Sequence, residues 1–311
     1  MKKLIASILA VFFVLAAVGC QSKEKASTET ASSKKESITI TLPTWTGYGP
    51  LFLAKEKSFF AEEGLDVNLE VVQGLAERKQ ALAGNKVQGM ATAQDVQVTL
   101  AAAGIPIKVI WTLDASCGGD GMLVRNGINS VADLKGKSVA VEVGTTSHLF
   151  LLTVLKKAGL TENDINIVQM TAGDAGAAFV AGKVDAAVTW EPWLTKGSKS
   201  GKGKVLVSTK DIPDIIIDTV CLRADLLEKK PEIGEKFVRA MDKAMKYWKE
   251  HPDESEKIMA EGLGISVEEF RGTMSGLKFY DTQANKEFFG TPEKPGPIYE
   301  TIQKAIDFYA A

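Results

Sequence analysis

The chain has 311 residues, 45% hydrophobic, 24% charged and 7% aromatic, with a formal net charge of −2. That balance suits a globular protein of about two domains and excludes a disordered, collagen-like or cysteine-stapled chain. The near-neutral charge disfavours a nucleic-acid partner, and 3 Cys with 2 His leave little for metal chemistry, so neither metal nor cofactor is expected.

The first residues differ from the rest. Met1, Lys2 and Lys3 form a positive start, Leu4 to Val18 is apolar, and Gly19-Cys20 follows. The apolar run is short for a membrane span and ends in small residues, so residues 1–19 are expected to be a secretory signal peptide. Ala17-Val18-Gly19-Cys20 resembles a bacterial lipobox, which implies lipid on Cys20 and anchoring to the outer side of a membrane. Residues 21–37 are almost all small, polar or charged, so 20–37 is expected to be a lipidated Cys and a flexible tether. Losing Lys2 and Lys3 with the leader takes the formal charge from −2 to −4.

Beyond the tether the pattern alternates. Ile38 to Leu42 reads as a strand, and Gly49 to Glu63 as a helix with Pro50 in its first turn and Gly64 at its end. Strands follow at Leu65 to Val72, Val87 to Ala91 and Ile105 to Leu113, with helices at Leu75 to Ala83 and Gln94 to Ala103 between them. Short connections in this order predict a parallel sheet covered by helices.

The rhythm restarts at Met122 to Arg125. It runs through a short helix at Ser130 to Leu134, a strand at Ser138 to Val143 and a helix at Ser147 to Ala158. Ile165 to Met170, Ala175 to Ala181 and Val184 to Val188 continue it, and Gly201 to Val205 reads as a solvated basic turn. After a strand at Ile215 to Arg223 the chain reads as almost wholly helical, with a Pro/Gly-rich interruption at Gly290 to Pro297. Phe237, Met241, Ala244, Met245 and Trp248 form an apolar helix face expected in the core.

Two α/β units and a helical tail therefore follow, with crossings between lobes near Cys117–Arg125 and Ile215–Arg223. The expected division is 38–120 plus 224–311 as lobe 1, 121–215 as lobe 2, and 216–223 as the second crossover. A double crossover makes a hinge, and the cleft between the lobes is a natural ligand site. Gly118, Gly119 and Gly121 are expected to permit the backbone geometry of the first crossing. Cys117 and Cys221 both fall in the crossings; a bond across a hinge would hinder closure, so two buried thiols are expected.

Three segments, GPLFLAKEKSFFAEEGLDVNL, ADLKGKSVAVEVGTTSHLFLLTVLKKAGL and AAFVAGKVDAAVTWEPWL, resemble the extracytoplasmic substrate-binding proteins of ABC importers, nearest the nitrate/sulfonate/taurine group. The resemblance covers roughly Ile38 to Ala311. It implies a two-lobed periplasmic-binding-protein type II fold that closes on a small molecule and delivers it to a permease with its ATPase.

Ligands of open α/β sheets sit at the carboxyl ends of strands. That rule selects Trp45, Gly47 and Tyr48 after the first strand, Gln94 and Asp95 after the third, and Ser116 and Asp120 after the fourth. In the second unit it selects Glu142, Thr145, Thr146, Ser147, His148, Trp190 and Glu191, with Asp218 in the second crossover. Thr145 to Ser147 also suit an ordinary helix cap, and Asp95 a helix start. His148 suits a polar surface. The chosen residues include several acids but no Arg or Lys, which favours a ligand with an amine, guanidinium or similar N–H-rich group, and a sulfonate at its other end is compatible. No HExxH, CxxC, GxSxG or phosphate-loop motif is present, so an enzyme is not expected, although enzymes use the resembling fold. A ligand-sensing lipoprotein with a signalling partner would use the same binding physics.

Overall fold

The computed structural model describes residues 35–310; the expected signal peptide, the lipid site Cys20 and the tether up to residue 34 lie outside the described residues. No helix among the described residues is long and apolar enough to cross a membrane.

The first strand, β1 (Glu36–Leu42), begins two residues inside the expected tether, because Glu36 and Ser37 already pair with Leu65 and Asp66. The expected helix from Gly49 is two helices, Gly49–Glu56 and Phe59–Glu62, broken where Ser58 takes a left-handed φ of 62°. β2 (Leu65–Val71), β3 (Gly89–Ala93) and β4 (Ile107–Ser116) follow, separated by helices Leu75–Ala83 and Gln94–Ala102. The chain then passes to a second sheet made of β5 (Asp120–Arg125), β6 (Ser138–Val141), β7 (Asn166–Gln169), β8 (Ala186–Trp190) and β9 (Gly203–Ser208). It returns with β10 (Ile217–Arg223) and, much later, β11 (Leu277–Phe279).

The first sheet has the order β11-β4-β10-β3-β1-β2 and the second β7-β6-β8-β5-β9. Neither is wholly parallel. β1, β2 and β3 run parallel, as do β6, β7 and β8. β10, however, lies antiparallel between β3 and β4, and β5 is antiparallel to both β8 and β9. A strand that comes back from the other lobe enters the sheet in the reverse sense, which short βαβ connections do not require. β10 belongs entirely to the first sheet, so the crossings are made by residues 117–119 and 209–216. β9 occupies the supposed basic turn: Lys204 and Val205 face out from an edge strand, which hides its alternation.

The crossings are stitched to each other. Ser116 Oγ lies 2.8 Å from Thr209 Oγ1, and Gly118 N donates to the same Thr209 Oγ1 at 2.7 Å. Gly118 sits at φ 126°, a conformation L side chains rarely adopt. Cys117 is exposed and Cys221 buried, and both are free; the expectation of two buried thiols fails at Cys117 because its crossing runs over the surface.

Helices Glu232–Glu250, Pro252–Leu263 and Val267–Thr273 cover one face of the first sheet together with Gly49–Glu56. Their buried Phe237, Met241, Ala244, Trp248, Met259 and Phe270 join Ile38, Ile40, Leu42 and Trp111 in one core. Leu82, Met90, Val96 and Leu100 fill the opposite face. In the second sheet, Phe150 and Val154 of helix Thr146–Lys157 cover one face and Phe179 and Leu194 the other. Asn285 ties the C-terminal segment to β4 by accepting from Thr112 N at 2.7 Å and donating to Thr112 O at 3.0 Å.

Candidate functional site

A cavity of about 40 Å³ lies where the two sheets face each other. Trp45, Tyr48, Asp120, Glu142, Thr145, Thr146, Trp190 and Asp218 line it, so strand ends from both sheets converge as the strand-end rule requires. Pro43, Leu75, Thr92, Ala93, Val96, Ile216 and one cation, Arg78, complete the wall.

The loop after β1 builds the aromatic side. Thr46–Tyr48 forms one 3-10 turn closed by Tyr48 N donating to Trp45 O at 3.1 Å. Trp45 Nε1 donates to both oxygens of Asp114 at 3.2 Å, and Tyr48 Oη donates to Asp218 Oδ1 at 2.5 Å. Gly47 fits only without a side chain: a Cβ there would stand 1.9 Å from Asp114 Oδ2 and 2.5 Å from Trp45 Nε1. Its role is to let the loop close over that carboxylate, and it does not line the cavity.

Asp218 and Asp114 face each other across the β10–β4 pairing, and both are buried. Burial, with the nearby Asp95 charge, raises Asp218 to about 7 against the opposing pull of Tyr48 and Arg78. Burial and the Asp218 charge hold Asp114 well above the usual carboxylate range. Burial does the same for Asp120, whose Oδ2 has no hydrogen-bond partner. Burial and Asp218 also hold the Tyr48 phenol well above its ordinary value, so it remains a donor.

Glu142 joins the lobes. Leu75 N donates to its Oε1 at 3.2 Å and Ala172 N to its Oε2 at 3.4 Å, each from the first residue of a helix. One carboxylate thus serves two helix N-termini, one on each sheet. Three further bonds cross the cleft: Thr146 Oγ1 to Asp95 Oδ1 at 2.7 Å, Trp190 Nε1 to Thr44 O at 3.1 Å, and the Lys196–Glu269 ion pair at 2.9 Å. Thr145 Oγ1 donates back to Glu142 O at 2.6 Å and makes no cap bond to the helix it precedes.

The other expected residues do not line the cavity. Ser116 binds Thr209 and accepts from Asp120 N. Gln94 accepts from Thr301, and Asp95 from Thr146 and Tyr309. Glu191 accepts from Thr195 N and Oγ1 at 3.0 and 2.9 Å, which ties its carboxylate to the helix that follows. Ser147 is buried beside the cavity without lining it. His148 points to Glu162 at 2.7 Å and accepts from Gly144 N at 3.3 Å, away from the cleft.

Arg78 corrects the charge argument. It is 4% exposed, its Nε has no hydrogen-bond partner, and its Nη1 donates to Ala91 O at 3.4 Å. Burial lowers its basicity, while Tyr48, Glu142 and Asp218 favour its charged form. The cavity therefore combines carboxylates with one guanidinium, and the premise that no cation is present was wrong. Arg78 lies in the first turns of helix Leu75–Ala83, outside the loops that the strand-end rule inspects. Its one sequence signal was a place just after β2, whose carboxyl end points to the same edge.

Known proteins resemble the chain over most of its length. A Bacillus subtilis (strain 168) protein assigned as an aliphatic sulfonates-binding protein is 29% identical over 267 residues, covering 84% of this chain and 78% of that protein. The taurine-binding periplasmic protein of Escherichia coli (strain K12) is 26% identical over 284 residues, covering 88% and 86%. The solved alkanesulfonate-binding protein of Xanthomonas axonopodis pv. citri, bound to MOPS, superposes with a TM-score of 0.72 at 20% identity over 89% of this chain and 94% of that one. The last likeness establishes the periplasmic-binding-protein fold. The sequence pattern of the family described as NMT1/THI5 like matches residues 45–255, about two thirds of the chain, and the chain belongs to that family.

Proposed function

We propose that the chain is the solute-binding component of an ABC importer. It captures a small molecule that carries a basic or N–H-rich nitrogen at one end and an anionic oxygen group at the other. The carrying observation is the placement of Arg78 with Asp120 and Asp218 in one cavity between two sheets. A buried charge without a partner is costly, so a ligand with both signs satisfies groups that neither a bare cation nor a bare anion would. Trp45, Tyr48 and Trp190 supply flat walls that suit a cationic nitrogen. Taurine and MOPS, named with two of the similar proteins, each pair a basic nitrogen with a sulfonate.

Binding draws the lobes together because Glu142 and Thr146 reach across only when they meet. A ligand shifts such a balance by its greater affinity for the closed form. The closed form then docks on a permease, which an ATPase drives. The apolar leader and Cys20 support an extracytoplasmic place with a lipid anchor. Calorimetry with taurine, propanesulfonate, propylamine, guanidinium and nitrate tests the reading. Taurine is expected to bind more tightly than propanesulfonate or propylamine; tight binding of nitrate alone would overturn the assignment.

A further inference from the structure

Asp95 is the second residue of the helix Gln94–Ala102, is 3% exposed, and does not line the cavity described above. Its carboxylate is held from two directions. Thr146 Oγ1, from the second lobe, donates to Oδ1 at 2.7 Å. Tyr309 Oη, from the C-terminal helix Ile298–Ala310, donates to Oδ2 at 2.8 Å. The same helix fastens the preceding residue, because Thr301 Oγ1 donates to Gln94 Oε1 at 2.5 Å. The start of helix Gln94–Ala102 is thus clamped by the C-terminal helix at two consecutive side chains.

We propose that Tyr309 is a positioning residue for closure: it fixes the Asp95 carboxylate so that the remaining oxygen is aimed at Thr146 when the second lobe arrives. A carboxylate tied at one oxygen keeps its plane, so the bond across the cleft forms without first ordering its acceptor. The Thr146 bond exists only in the closed arrangement, so whatever prepares it favours closure selectively. The last helix, far from the cavity in sequence, therefore takes part in the closing equilibrium. This inference rests on the closing-lobe reading above and adds to it a control point outside the ligand site.

The test measures the distance between spin labels at exposed Lys55 and Lys157, one on each lobe, each replaced by Cys in a full chain with Cys20 and Cys117 changed to Ser. Wild-type background, Tyr309→Phe, Thr146→Val and the double variant are compared without ligand and with taurine. Each single change is expected to lower the closed-to-open ratio about 2- to 10-fold, the range of one hydrogen bond. The double variant is expected to match Thr146→Val alone, because Tyr309 acts through that bond. An unchanged ratio in Tyr309→Phe, or fully multiplicative effects, overturns the proposal and assigns Tyr309 to packing. Absence of any short distance in the background protein also overturns it. If taurine leaves the background ratio unchanged while Tyr309→Phe still lowers it, the ligand assignment fails and the positioning role stands.

Discussion

Replacing Gly47 with Ala inserts one methyl where the structure has no space for it. The new Cβ would lie 1.9 Å from Asp114 Oδ2, 2.3 Å from its Cγ and 2.5 Å from Trp45 Nε1. Asp114 is 0% exposed on a central strand, so its side chain has no solvent to swing into. Relief requires moving the loop or turning the carboxylate, and either breaks both bonds from Trp45. Overpacking costs about 1–3 kcal/mol, and leaving the buried Trp45 Nε1–H without its acceptor about 1–3 kcal/mol. A combined loss of about 3 kcal/mol or more lowers the melting temperature by roughly 5 °C or more in a chain of this size. Differential scanning calorimetry reads it directly. Gly272→Ala is the control, since it sits in helix Val267–Thr273 with nothing within 4 Å of an added Cβ. It is expected to be neutral or to gain up to about 1 kcal/mol. Equal melting temperatures for the two variants would refute the reasoning.

Arg78→Met should weaken taurine binding about 10- to 100-fold, as loss of a charged hydrogen bond implies, without lowering the melting temperature; calorimetry gives both. Asp218 carries its proton to higher pH when folded, about 7 against 3.8, so the unfolded chain binds fewer protons between those values and stability falls as pH rises from about 4 to about 7. Asp218→Asn should flatten that part of a urea-denaturation series against pH, and an unaltered slope would count against the assignment. The same titration predicts that propylamine affinity rises through pH 7, as Asp218 becomes anionic, and isothermal titration at pH 5.5 and 8 checks it. Of Cys117 and Cys221, only Cys117 should react with maleimide in the native protein, because burial pushes the Cys221 thiol up to about 12 and removes it from solvent; intact mass resolves the outcome.

Much of the architecture is legible because period-2 and period-3.6 patterns survive in buried elements such as Ile38 to Leu42 and Phe237 to Trp248. β9 was hidden because an edge strand exposes Lys204 and Val205 together, and β11 because three residues carry no period. The antiparallel place of β10 is a matter of which strands it pairs with, and its own residues do not encode that. The site divides in the same way. Aromatic and acidic residues at strand ends stand out, so Trp45, Tyr48, Asp120, Glu142 and Asp218 could be named in advance. Arg78 sits among Glu77, Lys79 and Gln80 in a helix that looks like an ordinary charged surface. In the folded chain it is a buried cation lining the cavity. His148 and Glu191 satisfy the strand-end rule in position, but nearer partners, Glu162 and Thr195, capture their polar atoms.

The position of β10 bears on the order in which the chain assembles. In the first sheet β3 and β4 are not neighbours; β10 stands between them. That sheet therefore has a gap at its centre until residues 217–223 have been made. The second sheet draws all its strands from the continuous stretch 120–208, and its core borrows only a few flanking side chains, among them Ile212 and Ile216. Synthesis thus delivers every strand of the insert while the host sheet is still incomplete. The host's earliest strands have unpaired edges until a segment more than a hundred residues downstream is made, so all strands of the central sheet are available before the first sheet can close.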